Sequence, residues 1–166
     1  MRSTLLAVLT LCIFHAAETA PALAKMFELP TANPAVTLDI PASWKPSDTD
    51  AGVEATSPDG ETYVAFETAT AKAMEQLIDD DIAFLTRSGV SIDRSTQQTS
   101  DTTVNGLPVS FLHWKGTDKD GPTAVTLGIF GVSDNLILLM TAWSSPAGDA
   151  AQGPTLDRIL ASVSKR

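Results

Sequence analysis

The sequence predicts an α+β fold, an α/β/α sandwich whose central antiparallel sheet of six to seven strands lies between two main helices. Two apolar runs, Thr123–Val132 and Leu136–Trp143, meet across Ser133-Asp134-Asn135 and read as a hairpin. Side chains alternate along a strand, so Leu136, Leu138, Met140 and Ala142 point one way while Ile137, Leu139 and Trp143 point the other. Both faces are apolar and both need covering, unlike those of a half-solvated antiparallel sheet. Two segments with helical spacing, Thr70–Ser88 and the stretch from Pro154 onward, supply the covers.

The remaining elements follow in chain order. Ala35–Ile40 alternates Val36, Leu38 and Ile40 inward with Thr37 and Asp39 outward, and Pro41 ends that strand. Trp44 then stands where it can fold back as a lid over the sheet edge, and Lys45–Gly52 reads as a surface loop. Val53–Ser57 and Glu61–Thr68 pair across Pro58-Asp59-Gly60, because Pro pre-sets φ and Gly permits a positive one. Val64 and Phe66 share a face with Thr62, whereas Tyr63 and Ala65 take the other. In Thr70–Ser88 the residues Ala71, Met74, Leu77, Ile78, Ile82, Phe84 and Leu85 form an apolar half opposite Glu75, Gln76, Asp79, Thr86 and Arg87, and Gly89 is the stop. Val90–Val104 is polar and reads as an exposed edge strand. Asn105-Gly106 is a two-residue hairpin signal leading into a strand over Val109–Lys115, and Thr117–Pro122 turns into the central hairpin. Ser144–Gly153 reads as a loop, after which Pro154 opens a helix carrying Leu156, Ile159, Leu160 and Val163 to the C-terminus.

The N-terminus carries the marks of export. A basic start at Arg2, about ten apolar residues over Leu5–Phe14 and small residues closing on Ala22-Leu23-Ala24 make a secretory signal. The expected organisation is a signal peptide over residues 1–24 and one domain over 25–166, periplasmic or secreted after cleavage near Ala24. The apolar stretch is shorter than the roughly 20 residues a membrane-spanning helix needs, and no other segment qualifies. A lipid anchor on Cys12 is disfavoured by Leu11, which stands where a small residue is wanted. Cleavage removes Cys12, leaving a mature domain without cysteine, which excludes disulfides, thiolate catalysis and Cys-based metal sites. It also removes Arg2 and Glu18 together, so the net charge stays at −9, which argues against a nucleic-acid partner.

Candidate chemistry is sparse. His113 is the only histidine of the mature chain and sits in a strand beside Trp114, where a structural role is the simpler reading, so no nucleophile and base pair up into a catalytic set. Asp79, Asp80 and Asp81 are consecutive on a helix and point about 100° apart, so they cannot converge on one ion. Asp81 differs from its neighbours because the helical wheel places it inside the apolar arc, either as a buried carboxylate with a raised pKa or as one reaching the rim of the helix interface. Asp118-Lys119-Asp120-Gly121 opens like a calcium loop, but Ile129 occupies the twelfth position, so it reads as a turn. Trp44, Trp114 and Trp143 can line a ligand groove or fill the edges of a small core. No phosphate loop or dinucleotide fingerprint is present. Neither a cofactor nor a metal is therefore expected.

Leu38-x-Ile40-Pro41-x-x-Trp44, Ser57-Pro58-Asp59-Gly60, Asn105-Gly106-Leu107-Pro108 and Leu156-x-x-Ile159-Leu160-x-Ser162 together resemble the PsbP-like superfamily. The resemblance covers most of the mature chain and rests on structural punctuation. It implies an α/β/α sandwich and, as in the bacterial DcrB-type envelope proteins of that superfamily, a binding or assembly role rather than an enzymatic one. No shared catalytic motif comes with it. The leading expectation is a non-catalytic accessory protein of the cell envelope that binds a protein or peptide at the sheet edge or a groove beside it. The alternative is a small ligand or cation held in an aromatic pocket around Trp114 and His113. The residues singled out as a possible partner surface are Trp44, Asp81, His113, Trp114 and Trp143.

Overall fold

Alternating burial marks the first predicted strand: Val36, Leu38 and Ile40 are buried and Asp39 is exposed. In the computed structural model, which describes residues 23–166, this strand is β2 (Val36–Pro41). It lies at the centre of a small antiparallel sheet between β1 (Ala24–Leu29) and β10 (Ser164–Lys165). The main sheet has seven strands: β3 (Ser47–Asp48), β4 (Gly52–Thr56), β5 (Thr62–Thr70), β6 (Ser91–Val104), β7 (Leu107–Asp118), β8 (Gly121–Ser133) and β9 (Leu136–Ser144). Their spatial order is β3-β4-β5-β9-β8-β7-β6, and each neighbouring pair is antiparallel. The predicted hairpin, β8 with β9, is therefore interior to the sheet, and the polar β6 is an edge strand.

Strand parity divides the core in two. Leu138, Met140 and Ala142 of β9, with Val64, Phe66 and Phe130, pack against the small sheet, Trp44 and Ile159 of helix α2 (Pro146–Ser162). Ile137 and Leu139 of β9, with Val125, Leu127 and Trp114, pack against Leu85 of helix α1 (Met74–Arg87). The α+β architecture with one helix on each face is thus what the two-sided apolar strands demanded. Turn chemistry holds as well: Asn105, Gly106 and Gly60 all have positive φ, and Gly89 ends α1 in the left-handed region.

Several expectations need correction. The strand over Ala35–Ile40 leaves the main sheet for the small one, and the seventh place is taken by the two-residue β3 inside the segment read as a loop. Trp44 is no lid at a sheet edge; it is 1% exposed within the core, in a 3-10 turn over Ala42–Trp44. Helix α2 starts at Pro146 rather than Pro154, because Ser145 caps it by accepting from the Gly148 amide at 3.0 Å, and Pro154 sits inside the helix. The helix then stops at Ser162, and the chain beyond it is extended and feeds β10. Ala71 falls in a 3-10 turn ahead of α1 and is exposed.

The expected signal lies almost wholly outside the described residues, and the expected cut after Ala24 falls on the first residue of β1. Among the described residues no helix is long and apolar enough to cross a membrane.

Candidate functional site

On β5, the parity that sends Val64 and Phe66 into the α2-side core sends Tyr63, Ala65 and Glu67 to the α1 side. Ala65 is in register with Glu54 on β4 and with Thr141 on β9. A methyl group between two longer side chains leaves a hollow in the sheet surface, and α1 roofs part of it. The result is a cleft of about 350 Å³ bounded by β4, β5, β9 and α1 and by Thr49 and Ala51 of the edge segment. Leu77 and Phe84 form apolar parts of the roof, and Asp80, Asp81 and Arg87 also come from the helix.

A pair of carboxyls, Glu67 from the sheet and Asp81 from the helix, lines both sides of the cleft. Asp81 is 8% exposed and accepts a hydrogen bond from the Thr141 hydroxyl at Oδ2. It also shares a hydrogen bond with Glu67. A hydrogen bond between two carboxyls needs one proton, and the Thr141 donor favours Asp81 as the anion and Glu67 as the acid. Burial pushes Glu67 up to about 7, reinforced by the charge of Asp81 and the hydrogen bond to it, then by Glu54 and Asp80. Burial also raises Asp81, opposed by the hydrogen bonds from Thr141 and Glu67. Tyr63 donates to Glu54 Oε2 at 2.8 Å, and burial keeps its hydroxyl protonated far above the usual range.

An aromatic wall stands beside the acids. Tyr63 stacks on Trp143 with ring centroids 4.1 Å apart, and Phe84 lies 5.8 Å from Tyr63. Carboxylates next to aromatic faces make a site suited to a cation. Among the described residues no three acidic or histidine side chains gather as metal ligands. The lining acids come from two sides of the cleft, Glu54 and Glu67 from the sheet and Asp80 and Asp81 from the helix.

The five residues singled out from sequence are spread through the molecule. Asp81 is in the cleft, and Trp143 backs its aromatic wall. Trp44 is in the core on the opposite face of the sheet. His113 and Trp114 are consecutive on β7 and so face opposite ways, which dissolves the pocket expected around them. His113 Nδ1 pairs with Thr126 Oγ1 at 2.9 Å, and its ring stacks on Phe111 on the α2 side. Trp114 lies under α1 beside a cavity of about 30 Å³, and its buried indole N–H has no hydrogen-bond partner among the described residues.

Glu67, Glu54 and Tyr63 were missed. The signal for Glu67 was present: it continues the Tyr63, Ala65 parity by one step, onto the face that Asp81 of the helix must meet.

No family model and no curated protein sequence matches the chain. Solved structures do. The chain is similar to the cyanobacterial PsbP, CyanoP, of Synechocystis sp. PCC 6803, with a TM-score of 0.58 at 8% identity over 90% of this chain and 96% of that one. It is similar to LpqN of Mycobacterium tuberculosis, with a TM-score of 0.52 at 11% identity over 86% and 91%. A Bacteroides thetaiotaomicron VPI-5482 structure matches with a TM-score of 0.57 at 14% identity, over 86% of this chain and 48% of that one. The chain has a PsbP-like fold, as the sequence resemblance led one to expect.

Proposed function

We propose that this protein is a non-catalytic accessory module of the cell envelope that binds a basic segment of a partner protein in the cleft between α1 and the β4–β5 edge of the sheet. The observation that carries the reading is the cleft itself: about 350 Å³, lined by the Glu67–Asp81 pair and by Tyr63 and Phe84 beside the short edge strand β3. Its size falls within the range of ligand sites. The net charge of −9 steers a cationic partner toward it. The export-like N-terminus supports an envelope location, and so does the solved neighbour LpqN, described as involved in cell envelope biogenesis. Both carry the localisation as part of this proposal.

A second reading is favoured by the aromatic wall: a small organic cation held over Tyr63, with Trp143 stacked behind it. Native mass spectrometry of freshly purified protein separates the two, since a co-purified small cation supports the second. The primary reading is tested by titrating a lysine-containing peptide with apolar flanks into labelled protein, against the same peptide with norleucine in place of lysine. Shifts confined to Tyr63, Glu67 and α1, weakened by Glu54→Gln and by added salt, are expected. Equal binding of both peptides, or shifts at the His113 face, would contradict it.

A further inference from the structure

Beside its apolar contacts, α1 meets the sheet through Asp81, which accepts from Thr141 on β9 and lines the same cleft as Glu67 of β5. Asp81 projects from the helix into the interface, Glu67 rises from β5, and Thr141 on β9 holds one oxygen of Asp81. The contact between the two carboxyls is attractive with one proton present and repulsive without it, because two adjacent carboxylates in a half-enclosed site repel. The surroundings do little to relieve that repulsion. The charged or titratable groups that line the cleft are Glu54 from β4, Tyr63 from β5, and Asp80 and Arg87 from α1, while β9 contributes only the neutral Thr141. With Glu67 and Asp81 themselves, the cleft is lined by four acids, Glu54, Glu67, Asp80 and Asp81, against a single base, Arg87. The helix is otherwise lightly seated: Leu85 is its one fully buried apolar side chain, and Leu77, Ile78 and Ile82 are only partly covered.

We propose that Glu67 and Asp81 form a proton-held latch, in which one shared proton closes α1 on β5 and β9 and its loss lets the helix lift and opens the acidic cleft. This deepens the reading of the cleft as the binding site and supplies its regulation. An unmodified glutamate ionises near 4.5, whereas Glu67 in the closed fold is pushed up to about 7. The closed form therefore holds a proton that the open form gives up between those values. The proton's contribution to closure is fully present below that window, weakens as pH rises through it, and is gone above about 7. A basic group entering the cleft competes with the same proton, so binding and opening act in the same direction.

The test follows the side-chain carboxyl ¹³C shifts of Glu67 and Asp81 across the acid-to-alkaline range, together with amide exchange along α1 corrected for intrinsic rates. The pair is expected to show an upper titration step near 7. Opening of α1 should grow by about tenfold per pH unit between about 4.5 and that step and be level on either side, as linkage to a single proton requires. Glu67→Gln should flatten the exchange profile, and the wild-type titration decides the matter even if that variant does not fold. Two carboxyls that both finish ionising near the ordinary glutamate value, or α1 exchange that ignores the step, would overturn the latch. Adding Nα-acetyl-lysine methylamide on the alkaline side separates the two proposals. A titrating latch with no response to that probe upholds the latch and contradicts the binding reading, whereas a response without any step contradicts the latch alone.

Discussion

The two faces of the central sheet are built to different standards. On the α2 side, Phe66, Phe130, Leu138 and Met140 meet Trp44, Val36, Ile40 and Ile159 in an apolar core, and all eight are 0–1% exposed. Asn105 ties that side down further by donating to the carbonyls of Ala161 and Val163 at the end of α2, both at 2.8 Å. On the α1 side the apolar cluster is smaller and a carboxyl pair sits at the seam. Close packing favours one arrangement, whereas a loosely covered face with polar groups keeps two arrangements near in energy. The α2 face holds the fold, and the α1 face carries the proposed latch.

Truncations at matched aromatics should break or sharpen that contrast most strongly. Phe66→Ala on the α2 side should destabilise by about 3–5 kcal/mol in urea unfolding, while Phe84→Ala over the cleft should lose roughly 1 kcal/mol because the ring is only partly buried. Equal losses would erase the distinction. Gly148→Ala should follow, at about 1–3 kcal/mol, since a Cβ there would stand 2.6 Å from the Glu61 carbonyl oxygen where α2 meets β5. Glu67→Gln goes the other way. Glu67 is raised in the fold, so wild-type stability should fall as pH climbs from 4.5 to about 7, and the variant should not follow. On the alkaline side the variant should be the more stable by roughly 1–2 kcal/mol, allowing for solvent screening of a half-buried group, and near 4.5 the two should coincide. Asn105→Gly keeps the positive-φ turn but drops both hydrogen bonds to the α2 terminus, and should cost about 1 kcal/mol. Asp79→Asn, on the exposed side of α1, should stay within about 0.5 kcal/mol.

Much of the frame was legible because alternation is a local property. Leu136 to Trp143 alternate between the two cores as their spacing says, Asn105-Gly106 makes its hairpin and Gly89 stops its helix. What was hidden depends on distant partners. The strand over Ala35–Ile40 reads the same whether it joins the large sheet or pairs with Ala24–Leu29, and only the fold decides. The start of α2 was obscured by Gly148 and Gly153, poor helix formers, although Ser145-Pro146 is a cap and first-turn pair. Gly148 is there because β5 passes too close for a side chain, a fact that belongs to tertiary structure. Of the site, Asp81 announced itself by standing in an apolar arc. Glu67 did not, because its partner is on another element and a single Glu at a strand end is ordinary.

The contrast between the faces is tested most directly by native-state hydrogen exchange at increasing low concentrations of urea. Amides around Ile159 in α2 should exchange only through global unfolding, with its full urea dependence, while those around Asp81 and Leu85 in α1 should exchange through a smaller opening with little urea dependence. If both helices merged onto the global unfolding line from the first point, the two faces would be equally rigid and α1 would have no separate opening for a proton or a ligand to control.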